Sequence, residues 1–401
     1  MIPVLLVLNA GSSSLKFQVF EFGAAEDPRR VFRGLFEGLG NAPRLLIRDS
    51  AGTIVAEETL EAPAFGHEAA LLHVAAWLRA HGQGLELAAV GHRVVHGGRA
   101  YDRPVRVDAQ VLEALERLVP LAPLHQPHNL APVRILRRRF PDLPQVACFD
   151  TAFHRAQPEI AQLFAVPHAM TERGVRRYGF HGLSYAHIAS VLAEYDPALA
   201  SGRVVVAHLG NGASLCALER GRSIATTMGF SALDGLPMGT RCGSLDAGVV
   251  FYMLRDMGLG PEEAERMLYT QSGLLGVSGL SNDMRRLRSL AATDPDARRA
   301  IDLFVYRIGR EFGSLVAALG GLDALIFTGG IGENDVATRA EVLRGAAWAG
   351  FELDEAANAC GGPRVTRGRG PAAWVVPADE EVMIARGTRE VLGQVQRQPA
   401  L

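Results

Sequence analysis

Two arginines of this chain stand in glycine-flanked segments: Arg93 in Gly91–Gly98 (GHRVVHGG) and Arg241 in Met238–Gly243 (MGTRCG). Arg93 lies among Val90, Val94 and Val95, so burial would oblige it to have a partner, and its planar fork suits a carboxylate or a phosphoryl group. An internal salt bridge is the other use of such a residue. Asn9–Ser14 (NAGSSS) gathers backbone N–H groups, an amide and three hydroxyls into one tight turn, and Lys16 adds an ammonium just beyond it. That set can hold phosphate oxygens or a hydrated metal phosphate. It is not a P-loop, because G-x-x-x-x-G-K-[ST] is absent and the turn leads into a strand. Asp150 ends an apolar run, where α/β folds place their ligands; it can hold a cation or a nucleophile, or cap a turn. His181 stands just before a helix, where backbone donors favour anions, a structural histidine being the commoner outcome. Gly329–Asn334 (GGIGEN) is a glycine-rich turn from strand to helix, able to bring backbone against a nucleotide. Glu380 and Glu381 open the last helix, where acids favour the dipole whatever their function. His92 and His96 are four apart, but their stretch reads extended, so they make no zinc pair.

Strands and turns must position these groups. Five of the six residues from Val4 to Asn9 are apolar, the mark of a strand buried on both faces. A second strand resumes at Leu15–Phe20. The pattern returns two hundred residues later, with Val204–Ala207 answering Val4–Val7, Gly210–Gly212 answering Ala10–Ser12, and Ser214-Leu215 answering Ser14-Leu15. Two such hairpins predict a duplicated phosphate-handling domain, the period being too long for a solenoid. Further strands are expected at 31–39, 44–49, 53–60, 88–98, 144–149, 223–227, 323–327 and 374–377. Helices are expected at 68–80, 108–119, 130–140, 184–195, 247–257, 261–269, 296–319 and 379–396. Leu124–Asn129 reads as a proline-punctuated loop that lines a cleft, and Arg173–Leu183 as an active-site loop.

Composition leaves room for this. A chain of 401 residues suffices for two or three domains and a substantial core. With 41 Lys and Arg against 43 Asp and Glu, and no long basic block, nothing points to nucleic acid or anionic lipid. No apolar window is long enough for a membrane span, and the amino-terminal stretch lacks the features of a secretory signal. Cys148, Cys216, Cys242 and Cys360 are scattered without a C-x-x-C, as expected of reduced cytoplasmic thiols.

The segments Leu8–Lys16 (LNAGSSSLK), Gly91–Gly98 (GHRVVHGG), Arg176–Tyr185 (RRYGFHGLSY), His208–Ser214 (HLGNGAS), Met238–Arg241 (MGTR) and Gly329–Asn334 (GGIGEN) together resemble the acetate kinase family nearly end to end. The resemblance implies an α/β fold of two duplicated ribonuclease H-like domains around a nucleotide cleft. That fold is shared with sugar kinases, actin and the heat-shock chaperones of the seventy-kilodalton class. It divides the chain into residues 1–150, the acyl and phosphate domain joined by the closing helix 380–396, and residues 151–379, the nucleotide domain. It implies reversible transfer of phosphoryl from ATP to acetate, giving acetyl phosphate and ADP, with Mg2+ or Mn2+, in a cytoplasmic homodimer.

By the same resemblance Arg93 and Arg241 hold the carboxylate and the transferring phosphoryl, and His181 donates a hydrogen bond to it. Asn9, Asp150 and Glu380 position the cation, while Ser12, Ser14 and Lys16 line the phosphate path. His208, Leu209, Gly210, Asn211, Gly212, Asp283, Met284, Arg285, Gly330, Ile331, Gly332, Glu333 and Asn334 meet the nucleotide. Val95, Leu124, Phe180 and Ala232 surround the methyl group. The sequence departs from the family at Met284, where Phe is usual, at Ser244 and Ala247 for Asp and Pro, and at Ala232 for Pro. The last departure admits propionate or a broader range of short fatty acids. A chaperone-like ATPase would need a peptide-binding appendage, and a sugar kinase a catalytic aspartate beside a polar pocket.

Overall fold

The computed structural model describes residues 1–22, 28–60, 65–82 and 84–397. The chain forms two compact units, Met1–Phe153 with Asp379–Leu401, and His154–Ala378.

In the first unit, strands β1 (Ile2–Ala10), β2 (Leu15–Glu21), β3 (Arg30–Glu37), β4 (Arg44–Asp49), β5 (Ile54–Thr59), β6 (Leu85–Val94), β7 (Val105–Arg106) and β8 (Gln145–Phe149) make one sheet. Its order is β5-β4-β3-β2-β1-β6-β8-β7, with β1, β6 and β8 parallel. The apolar run in β1 is buried on both faces, as its sequence requires. Leu6, Leu8, Leu15, Phe17 and Phe36 on one face pack with Ala70, Val74 and Trp77 of the helix His67–His81. The other face receives the closing helix, Glu380–Arg397. A methyl on Gly91 would sit 2.4 Å from Thr388 Oγ1 and 2.7 Å from Ile384 Cγ2, so only glycine lets that helix approach so closely.

In the second unit β9 (Arg203–Leu209), β10 (Ala213–Glu219), β11 (Arg222–Thr226), β12 (Ala324–Thr328), β13 (Glu352–Leu353), β14 (Thr366–Arg367) and β15 (Ala372–Val375) form two sheets. The larger runs β11-β10-β9-β12-β15, with β9, β12 and β15 parallel. The set β3-β2-β1-β6-β8 has the same order and directions, so the duplication expected from the two hairpins is a property of both sheets. Among the described residues no helix is long and apolar enough to cross a membrane.

Several expected boundaries differ: the strand expected at 88–98 is Leu85–Val94, the helix expected at 108–119 is Ala109–Glu116, and two further differences bear on the site. Gln126–Asn129, read as loop, is the first turn of the helix Gln126–Arg139. Pro127 falls where the missing N–H has no intrahelical partner to lose, so it starts the helix and does not break it. Gly329–Asn334, read as a turn into a helix, is itself a short helix. Gly329 makes the bend at φ 77°, where a methyl would lie 2.8 Å from the Leu209 carbonyl oxygen.

Candidate active site

In the first unit the candidate residues stand on three adjacent parallel strands. Asn9 lies at the carboxyl end of β1, Arg93 at that of β6, and Asp150 directly after β8. Asn9 also pairs with Lys16 across the first hairpin. Strand alternation therefore puts Lys16, Asn9 and Arg93 in one row on the face that meets the closing helix. Arg93 is gripped from two sides. Its Nε and Nη2 donate to Asp150 at 2.9 and 2.6 Å, and Nη1 lies 3.2 Å from Glu380. Burial works against the Arg93 charge, but Asp150 and Glu380 outweigh it and hold its pKa above the ordinary value. The internal salt bridge that the sequence offered as one use of Arg93 is present, and the two carboxylates fix the fork in place. Glu381, beside Glu380, is pushed up by burial and then by its neighbour's charge, while Lys16 draws it down.

Two residues of the helix Gln126–Arg139 secure the surrounding loops. Asn129 donates to the Ala10 carbonyl at 2.7 Å and accepts from Val95 N–H at 2.9 Å, tying the ends of β1 and β6 together. Gln126 holds both the N–H and the carbonyl of His96. Neither residue was assigned a role from sequence, although both lie in the segment read as lining a cleft. The Gly11 N–H donates to the Ser14 carbonyl, which closes the first turn with Ser12 exposed and Ser14 half-buried. Val95 is buried and Leu124 is 42% exposed. His92 meets Gln145, and His96 Nδ1 accepts from Gly98 N–H, so both are structural.

In the second unit His181 caps the helix Gly182–Tyr195 from the left-handed region, at φ 56°. Its ring stacks on His208 with centroids 4.4 Å apart. His181 Nδ1 is 2.8 Å from Ser214 Oγ, and His208 Nδ1 is 2.8 Å from Ser184 Oγ. Arg241 Nη1 donates to the Ala232 carbonyl at 3.0 Å. The turn after β9 is closed by Gly210 N–H donating to Gly212, and Gly239 N–H donates to the Asn211 carbonyl. Through Leu209 and Gly210 this turn lies against Gly329 and Gly330, so the two glycine-rich segments meet.

Arg339, fully buried, donates to the carbonyls of Gly332 and Glu333 and to Asn358, holding the end of the Gly329–Asn334 helix. Glu333 accepts from Gly329 and Ala378 N–H groups, so its carboxylate shapes the turn; Asn334 donates to the Gly330 carbonyl, and Ile331 accepts from Asp335 N–H. Asp283 caps the helix Met284–Leu290 and pairs with exposed Arg285, which holds its carboxyl below the usual range. Met284 is only 3% exposed, which leaves it little surface for a base. Phe180 and Ala232 are both buried.

Among the described residues no trio of His, Cys, Asp and Glu is spaced to grip a metal directly. Arg93 stands between Asp150 and Glu380. The donors Asp150, Glu380 and Asn9 are nonetheless hard oxygens, which suit magnesium, an ion that keeps several of its waters.

The sequence pattern described as the Acetokinase family matches residues 4–386. An acetate kinase of Rhodopseudomonas palustris is 52% identical over 96% of this chain and 98% of its own length. One of Deinococcus radiodurans is 44% identical over 97% of this chain and 98% of its own. Among solved structures, a propionate kinase from Francisella tularensis superposes with a TM-score of 0.90 at 34% identity, covering 97% of this chain and 100% of that one. The Porphyromonas gingivalis acetate kinase gives 0.85 at 35%, with the same coverage. Fold and relatives define a phosphotransferase whose acceptor is a carboxyl group, built from the duplicated domains of actin and the sugar kinases. The chain belongs to the acetokinase family.

Proposed function

We propose that this protein transfers the terminal phosphoryl of ATP to acetate, reversibly, giving acetyl phosphate and ADP. The observation that carries the reading is the 52% identity with an acetate kinase over 96% of the chain, with Arg93 and His181 each held in a fixed, bonded position. A carboxylate oxygen attacks the terminal phosphorus in line, the bond to the bridging oxygen breaks, and its electron pair leaves with ADP. Acetate is already ionised at neutral pH, so no general base is needed. Arg93 orients the carboxylate, and Arg241 and His181 offer donors to the equatorial oxygens, so that charge is met by groups already in place. Lys16, Ser12 and Ser14 line the phosphate path, and the turns at Leu209–Gly212 and Gly329–Asn334 take the nucleotide. Asn9, Asp150 and Glu380 would hold magnesium through its waters, and the bound ion would neutralise phosphate charge.

The test is hydroxamate trapping with ATP, magnesium and acetate, propionate or butyrate. Acyl hydroxamate from acetate is expected, and none from either acetate or propionate would refute the reading. Propionate is kept as a second acceptor because Ala232 stands at the expected acyl wall, 8% exposed. For quaternary structure we assign a homodimer through the face of Leu245, Val249, Phe251 and Tyr252. These side chains are 40–57% exposed, and Arg307 of the neighbouring long helix reaches the Ser244 carbonyl beside them. We read the protein as cytoplasmic, a reading that its four free cysteines support.

A further inference from the structure

Tyr185, Ser214 and His181 form a buried chain within the second unit. His181 Nδ1 lies 2.8 Å from Ser214 Oγ, and the Tyr185 hydroxyl bonds the same oxygen. Tyr185 and Ser214 are both 0% exposed, so water does not reach either hydroxyl. Two proton arrangements fit these positions. In the first, Tyr185 O–H donates to Ser214 Oγ and Ser214 O–H donates to His181 Nδ1. In the second, His181 Nδ1–H donates to Ser214, and either Ser214 donates to Tyr185 and the tyrosine proton meets no acceptor, or Tyr185 also donates to Ser214 and the serine proton meets none. Among the described residues Ser214 Oγ is the one hydrogen-bond partner of Tyr185 Oη. A buried donor left unmet disfavours the second arrangement by roughly tenfold or more.

We propose that Tyr185 and Ser214 are positioning residues that hold His181 in the tautomer with its proton on Nε2. That atom faces a place where a donor has a use. A methyl on Gly212 would sit 3.1 Å from His181 Nε2 and 3.9 Å from Arg241 Nη1. The imidazole N–H and the guanidinium therefore border one space that Gly212 leaves clear of side chain, and an anionic oxygen there meets donors from both. The opposite tautomer would present a lone pair to the same anion. Stacking on His208, itself tied to Ser184, keeps the ring from turning about its own bonds to exchange the two nitrogens. The rate consequence rests on the phosphoryl-transfer reading above; the tautomer is a property of the resting protein.

The test uses the full chain labelled with 15N in its imidazoles. Two-bond proton–nitrogen spectra are recorded above neutral pH, and the His181 signals are assigned by their loss in His181→Gln. The expected pattern is a protonated Nε2 and an unprotonated Nδ1. Ser214→Ala is expected to mix the tautomers and lower kcat about 10–100-fold, with KM for ATP and acetate held within about twofold. Tyr185→Phe should lower kcat by less, and Ser214→Thr, which keeps the hydroxyl, should restore both spectrum and rate. A wild-type spectrum with the proton on Nδ1 overturns the proposal even if no variant folds. So does a Ser214→Ala enzyme with unchanged tautomer and unchanged kcat. If the expected spectrum accompanies a wild type that makes no acyl phosphate, the tautomer assignment stands and the functional reading falls.

Discussion

Arg93 and Arg241 carry the same charge in different settings, and their substitutions should differ accordingly. Arg93 neutralises Asp150, which is 1% exposed, and Glu380. Arg93→Ala removes the cation that Asp150 and Glu380 share, so it should cost about 3–5 kcal/mol of stability as well as activity. Arg241 donates to the Ala232 carbonyl, and Arg241→Ala should lower kcat on the order of 10²–10³. Arg93→Lys should rescue poorly, because an ammonium cannot reproduce two parallel bonds to one carboxylate. Kinetics and thermal melts on the purified variants separate these outcomes. At Ala232 the backbone carbonyl serves Arg241 and the side chain is the expected acyl wall. Ala232→Pro should therefore shift kcat/KM toward acetate and away from propionate, by a factor that one methylene limits to about 10–200. An unchanged ratio would remove Ala232 from the acyl pocket.

At the scale of elements, the closing helix sets how Glu380 meets Arg93. Gly91→Ala would push a methyl into Thr388 and Ile384, displacing that helix at a cost of about 1–3 kcal/mol. The expected result is a lower Tm together with a raised magnesium concentration for half-maximal rate; a lower Tm with an unchanged magnesium requirement would detach the helix from the cation. Both hairpins were legible in the sequence, since an apolar run breaking into small polar residues permits little else. The first turn of the helix from Gln126 was not, because Pro127 reads as a breaker when its tertiary anchors cannot be seen, whereas the rest of that helix was expected from residue 130. Arg339 and the Tyr185–Ser214 pair were illegible for another reason. Their meaning lies in partners such as Asn358 and His181, which no local period or spacing connects to them.

For the molecule as a whole, buried histidines should govern stability in mild acid. Burial pushes His92, His96 and His154 from 6.5 down to about 4. Between those values the unfolded chain binds more protons than the folded one. Stability is therefore fully present above pH 6.5 and lost as pH falls toward 4, each group contributing on the order of 3 kcal/mol at most. Urea midpoints should fall between pH 7 and 5, before most carboxylates titrate; a flat profile there would contradict it. The exposed face around Phe251 and Tyr252 makes a separate expectation, that Tyr252→Glu yields monomers in sedimentation while the wild type sediments as a dimer.

The second unit is one uninterrupted stretch, whereas the first is made from both ends of the chain. Arg30 pairs with Asp379, 349 residues away, and Cys148 meets Ile384 across 236. During synthesis on a ribosome, the usual order in which the amino-terminal domain folds first is therefore inverted. The stretch from His154 to Ala378 has everything it needs once it has emerged, while the earlier residues wait for the last helix. Chains ending at Ala378 and held clear of the ribosome by an added linker should already protect the second unit from protease and leave the first open to cleavage. Arg93 would then acquire its second carboxylate last, so that a chain ending at Ala378 is assembled in the second unit and unfinished in the first.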